Sequence, residues 1–151
     1  MYKFLITLLL ICTSTVFASS SKDIEKQEKQ LIELVNKERT KRGLKPLKEQ
    51  SDLTKIARKH SQNMADKKVS FGHDGFDTRF KQAKEIGARR FGENVAYSHN
   101  MKDPLQTAVN SWMKSRDHKD NILGDYKETG IGIAYDKKGK FFVTQLFAVR
   151  K

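Results

Sequence analysis

The chain has 151 residues, 37% of them hydrophobic and 32% charged, with a formal net charge of +12 at pH 7. That leaves room for one domain with a real core, and the clustered aromatics argue against disorder. The positive charge suits contact with anionic lipid or polysaccharide. The lysines are spread over nearly every segment, and no basic motif is interleaved with aromatics, which argues against nucleic-acid binding.

The N-terminus reads as an export leader. Met1-Tyr2-Lys3 is a short positive start, and Phe4 to Ile11 is an apolar run of eight residues. Such a run is too short to span a bilayer and right for a signal-peptide core. Two exits follow. Val16-Phe17-Ala18 suits an ordinary signal peptidase, giving a signal peptide over residues 1–18 and a secreted protein starting at Ser19. Leu9-Leu10-Ile11-Cys12 is similar to a loose bacterial lipobox, giving a surface or outer-membrane lipoprotein held to the membrane only by a lipid on Cys12. Cys12 is the sole cysteine and falls directly after the apolar run, which favours the anchor; Ile11 before the cut and the shortness of the leader count against it. Either way the protein is exported and the mature fold carries no disulfide. Residues 19–27, opening on Ser19-Ser20-Ser21, read as a tether, and 28–151 as the domain.

The body opens with a helix. Lys22 to Arg42 places Ile24, Leu31, Leu34 and Val35 on one side, with Gly43 as the stop and Pro46 reinforcing it. Ser51 suits the cap of a second helix, on which Leu53, Ile56, Ala57, His60 and Met64 form one continuous face that fades near Lys67 or Lys68. Val69 to Asp77 is a glycine-containing loop, and Thr78 to Ile86 a shorter helix closed by Gly87. Phe91 to Tyr97 is mixed and reads as either a helical turn or an extended stretch. Asp103-Pro104 is a good cap and first-turn pair, followed by Leu105, Ala108, Val109 and Trp112 on a helical face. The end changes period: Gly130 to Tyr135 and Phe141 to Val149 are β-rich, with a turn over Asp136 to Lys140. The chain is therefore α+β, with helices packed on a small antiparallel sheet.

Three motifs carry chemistry: Phe71-Gly72-His73, Gly92-Glu93-Asn94-Val95-Ala96, and Ser115 to Leu123 with His118 inside it. Two imidazoles and a carboxylate can bind a divalent metal, move protons, or knit a polar core. Glu93 can orient an imidazole and fix its tautomer, or act as a general base. Zinc on His73 and His118 lacks a His-x-x-x-His pair and a third strong ligand, so weak divalent binding fits better than a tight catalytic site. Ser115 with His118 lacks the strand–turn–helix context of a nucleophilic serine. His60, on an apolar helical face, reads as a core histidine whose ring N–H bonds a backbone carbonyl. Asn94 and Asn121 read as loop-fixing residues, and Trp112, Phe91 and Phe147 as core.

Taken in order, these pieces resemble the bacterial branch of the CAP superfamily (SCP-like domains: cysteine-rich secretory proteins, antigen 5, pathogenesis-related 1). The resemblance runs over about residues 28 to 149. It begins with Leu34-Val35-Asn36-Lys37-Glu38-Arg39 and Gly43-Leu44-Lys45-Pro46-Leu47, and continues through His60-Ser61-Gln62-Asn63-Met64-Ala65 and Gly72-His73. Gly92 to Ala96, Trp112 to Ser115, His118 to Leu123, Thr129-Gly130-Ile131-Gly132 and Gln145-Leu146-Phe147 complete it. The resemblance implies an α-β-α sandwich with a central antiparallel sheet, and a cleft where His73, His118 and Glu93 meet. In many eukaryotic members a second acid lies three residues after a tryptophan like Trp112; here that position is Ser115.

The first reading is a monomeric, non-catalytic module that needs no cofactor, takes at most a divalent cation such as zinc, and binds a lipid or sterol, or an envelope or host component; the family implies this class more often than a proven reaction. The alternative is a divalent-metal-assisted hydrolase or peptidase using His73, Glu93 and His118.

Overall fold

The computed structural model describes residues 20–150. The leader and the two readings of Cys12 lie outside the described residues.

Helix α1 spans Ser21–Thr40. Ser20 caps it: its hydroxyl accepts from the Asp23 N–H, and the Asp23 side chain reaches back to Ser20. This capping box draws into the helix the segment expected to be a tether, so residues 21–27 are helical, not extended linker. Leu31, Ile32 and Val35 form the buried stripe. The end of α1 is tied down by Arg39, whose guanidinium donates to the carbonyls of Lys45, Ile122, Gly124 and Tyr126 at 2.6–3.2 Å. Asn36 pairs with both backbone groups of Leu47. Gly43, at φ +72°, turns the chain as its sequence position suggested.

A two-residue strand β1 (Lys48–Glu49) leads into α2 (Ser51–Ala65), then α3 (Phe76–Glu85), β2 (Ala88–Ser98), α4 (Pro104–Lys114), α5 (Arg116–Leu123), β3 (Glu128–Tyr135) and β4 (Phe141–Arg150). Asp103 caps α4 by accepting from the Gln106 N–H. The stretch read as either helical or extended is an eleven-residue strand, β2. The sheet runs β1-β3-β4-β2; β3, β4 and β2 are antiparallel, and the short β1 adds to β3 in parallel.

Helices cover both faces, so the architecture is the α-β-α sandwich. On one face, α1, α4 and α5 bring Leu31, Val35, Val109, Trp112 and Ile122 against Ile131, Ile133, Phe141, Val143 and Phe147. On the other, α2 and α3 pack on the opposite residues of the strands, with Met64 against Val95 and Phe142, and Leu53 and Ala83 against Ala148. Here α2 sits directly on the backbone of β3. A Cβ at Gly130 would overlap the Leu53–Thr54 backbone, and one at Gly132 the Ala57–Arg58 backbone. The two glycines in the Gly-Ile-Gly-Ile run thus leave one side of the strand bare for the helix, while Ile131 and Ile133 fill the other.

Side chains cap backbone groups at both sheet edges. Beyond β1, the outward Ile133 N–H is taken by Glu28 of α1 at 3.1 Å, and that carboxylate is gripped by Arg58 of α2 at 2.5–3.1 Å. At the other edge the carbonyls of Phe91, Glu93 and Val95, alternate residues of β2, accept from Tyr126 Oη, Asn121 Nδ2 and Trp112 Nε1 at 3.3, 3.1 and 3.0 Å.

Gly132→Ala will destabilise the fold by about 1–3 kcal/mol, because the helix backbone cannot yield as a side chain would. Urea unfolding measures it; an unchanged midpoint would show that α2 can lift from the strand freely.

Candidate functional site

The candidate residues gather around the outer edge of β2. Along this strand, Glu93 points toward the α2–α3 side and its neighbours Gly92 and Asn94 toward α5, as strand alternation requires. Gly92 leaves space on the α5 side: a Cβ there would lie 2.7 Å from Tyr126 Oη and 2.9 Å from Asn121 Oδ1. The Gly-Glu-Asn order therefore serves both flanks of one edge.

Glu93 is fully buried and both its oxygens are occupied. Arg79 of α3 donates Nε to Oε2 at 2.5 Å and Nη2 to Oε1 at 2.7 Å, a bidentate pair with little of either side chain exposed. His73 Nδ1 also meets Oε1, at 2.9 Å. A carboxylate can only accept, so the neutral His73 ring carries its proton on Nδ1 and leaves the Nε2 lone pair for the solvent side. Half of the His73 side chain is exposed. Arg79 also holds the loop that presents His73, donating to Asp74 O at 2.7 Å and His73 O at 3.3 Å.

His60 is buried in α2 and makes the expected ring-to-carbonyl bond, Nε2–H to Gly72 O at 2.9 Å. Its Nδ1 lies 3.2 Å from Arg79 Nη1 and accepts from it, so both ring nitrogens are assigned in the neutral form. Burial is the main cause that pushes the His60 pKa down. The charge of Arg79 acts in the same direction, while the bond to Gly72 and the charge of Glu93 oppose it.

His118 comes from α5, on the other side of the sheet, and its ring lies 6.2 Å from that of His73, centroid to centroid. The two imidazoles meet across the edge of β2. Asn94 is fully buried and fixes the His118 backbone by donating Nδ2 to its carbonyl at 3.0 Å, while accepting from Asn121 Nδ2 at 2.9 Å. Burial, and next the neighbouring His73, push the His118 pKa down; Asp117 opposes them.

A protein-family model described as "Cysteine-rich secretory protein family" (CAP) matches residues 32–147. The chain belongs to the CAP family. Among curated proteins, this CAP chain is 37% identical over 131 residues to the uncharacterized protein YkwD of Bacillus subtilis, covering 84% of this chain and 49% of that protein. It thus spans about half the length of that relative, and 34% of the membrane protein YlbC of the same organism, to which it is 30% identical. An extracellular SCP-domain protein of Bacillus anthracis superposes with a TM-score of 0.71 at 27% identity, over 89% of this chain and 45% of that one. An outer surface protein of Borrelia burgdorferi matches with a TM-score of 0.70 over 85% of this chain and 96% of that one, at 21% identity, a likeness of fold.

In this CAP chain Ser115 is the joint between α4 and α5, half-buried and in extended backbone, and its hydroxyl makes no capping bond to α5. It supplies no second carboxylate. The ligand chemistry for a metal is correspondingly thin. Glu93 is engaged by Arg79, and among the described residues no group of three or more His, Cys, Asp or Glu side chains is placed to hold an ion. Two imidazoles alone do not fit a three-ligand catalytic zinc site.

The residue that sequence reasoning missed is Arg79. It sits one turn before Ala83 on the buried face of α3, a position where an apolar residue is the norm, and that mismatch is the signal that could have found it. His60 likewise joins the cluster as a support of the loop rather than as isolated core.

Removing one partner of the buried pair strands the other. Glu93→Ala and Arg79→Ala should each cost about 3–5 kcal/mol, with much of the loss shared in a double-mutant cycle. Additive losses in chemical denaturation would sink the pairing. Stability will also fall on the acid side. His60 has a depressed folded pKa, so its contribution is complete above the unfolded value of about 6.5 and is lost as pH falls through the folded pKa. His60→Gln, whose amide can give one bond and take the other, should flatten that dependence below about pH 6.5; an unaltered profile would assign the effect elsewhere.

Proposed function

We propose that this chain is an exported CAP domain that binds a partner through the surface carrying His73 and His118, without turnover. The carrying observation is the state of Glu93: buried, paired bidentately with Arg79 and bonded to His73, it is an anchor for the loop and an orienter of the ring. A general base needs an accessible lone pair directed at a substrate proton, whereas the Glu93 carboxylate is buried and holds Arg79 on both oxygens and His73 on one. The imidazoles, in contrast, face outward at a separation suited to contact with one ligand group. Export draws support from the extracellular and outer-surface proteins that share the fold, and the partner classes are those of the resemblance: lipid or sterol, envelope component, or host component.

A second reading, a divalent-metal-assisted hydrolase, draws its support from the 6.2 Å approach of the two rings. It needs a third ligand or a free acid, which Glu93 does not offer while Arg79 holds it.

The two readings part in one experiment. Wild type and His73→Ala/His118→Ala are assayed on peptide and ester substrates with and without added zinc, beside calorimetric zinc titration. The expected result is no turnover by either protein; a zinc heat, where present in wild type, disappears in the double variant. Turnover by wild type that vanishes in a folded double variant overturns the binding reading.

A further inference from the structure

One end of the molecule gathers features that the His73–His118 site does not use. The turn between β3 and β4, the loop after α2 and the end of β2 meet there. A groove of about 410 Å³ lies between them, lined among others by Lys67, Lys68, Phe71, Lys140 and Phe142. Of the large hydrophobic side chains exposed among the described residues, Phe71 and Tyr97 belong to these segments and Met101 to the loop that follows β2, at 45%, 51% and 53% exposure. Phe71 and Tyr97 stand edge to face, their centroids 4.6 Å apart. Met101 follows the end of β2 by three residues, in the loop that leaves this end of the sheet.

The charge around these rings is positive. Lys67, Lys137 and Lys138 are exposed, as is Lys102 beside Met101. Lys140 Nζ lies 3.9 Å from the Tyr97 centroid and 5.2 Å from that of Phe142, and makes no ion pair among the described residues. The acids here are already engaged. Asp136 accepts the backbone N–H groups of Lys138 and Lys140 at 2.8 and 2.9 Å, and Asp66 takes Lys68 Nζ at 2.9 Å and Gln62 Nε2 at 2.8 Å.

We propose that this tip docks on the surface of an anionic phospholipid bilayer, with Phe71, Tyr97 and Met101 entering the interface and the lysines meeting lipid phosphates. Charge and polarity together select this occupant. A soluble acidic polymer would use the lysines and leave three large apolar side chains in water. A second copy of a chain with charge +12 would bring like-charged tips together. An anionic bilayer satisfies both sets of groups: each cation near its surface adds attraction, and exposed rings and a thioether gain burial at the headgroup level. The groove's lining includes neither His73 nor His118, although Phe71 lies two residues before His73 in the same loop.

The test is co-sedimentation of the full chain with vesicles of phosphatidylcholine alone and of about three parts phosphatidylcholine to one of phosphatidylglycerol. The neutral vesicles report any background from the apolar N-terminal run. Phe71→Ser/Met101→Ser and Lys67→Gln/Lys138→Gln alter exposed side chains, and melting curves verify that both variants remain folded. Wild type should bind the anionic vesicles more tightly, with binding that weakens as salt rises. Each double variant should lower that partition by about tenfold or more, while His73→Ala/His118→Ala leaves it unchanged. Equal binding to both vesicles, or full binding by the Phe71/Met101 variant, overturns the proposal. So does capture of dextran sulfate, lost only in the lysine variant, with no vesicle binding. Loss of vesicle binding in the histidine variant would merge the two surfaces and overturn their separation.

Discussion

The capping of the β2 edge by side chains is the constraint on which the rest depends. A terminal strand leaves every second residue with polar backbone atoms facing outward, and burying them unpaired is costly. Here the acceptors at Phe91, Glu93 and Val95 are met by Tyr126, Asn121 and Trp112. To make those bonds, α4, α5 and the segment after α5 must press against the edge. That approach carries His118 around to the side where His73 stands. Gly92 is part of the same requirement, since a side chain there would push Tyr126 and Asn121 away. The site exists because the edge had to be closed from both sides.

Inside that frame a single ion pair organises the polar cluster. Arg79 reaches from α3 to Glu93 on β2, and in passing takes the carbonyls of His73 and Asp74 and the ring of His60. One guanidinium therefore couples two helices, a strand and a loop. A buried pair of this kind need not add stability over a well-packed apolar alternative. What it supplies is geometry: it orients one imidazole and positions the loop that bears it. The chemistry left at the surface is that of two imidazoles, suited to a proton or a weak ligand.

Much of this architecture was legible in the sequence, and the gaps have physical reasons. Helices α1 and α2 announced themselves because their buried residues recur at helical spacing, and the closing hairpin because its residues alternate. Strand β2 was ambiguous because Gly92, Glu93 and Asn94 serve the edge and the site, so its centre lacks the alternation that marks a strand. Helix α5 was invisible: it is short and polar, with Ile122 its only buried residue. Ser20 and Asp23 carried a capping signal that the serine run disguised as linker. Arg79 stood out only by its place on the apolar face of α3, and its role needed its partner, fourteen positions later, to be seen beside it. The histidines and Glu93 could be picked out by motif, but that Glu93 is tied to a cation is a fact of tertiary structure alone.

The closed edges also restrict how anything can join this sheet. Many small domains recruit extended peptides by letting them hydrogen-bond as an additional strand. Along β2 three alternate acceptors are already taken, and at the far edge Glu28 blocks the Ile133 N–H. Zipper-like growth from one copy to the next is discouraged for the same reason. At these positions an added strand would find its backbone partners already taken.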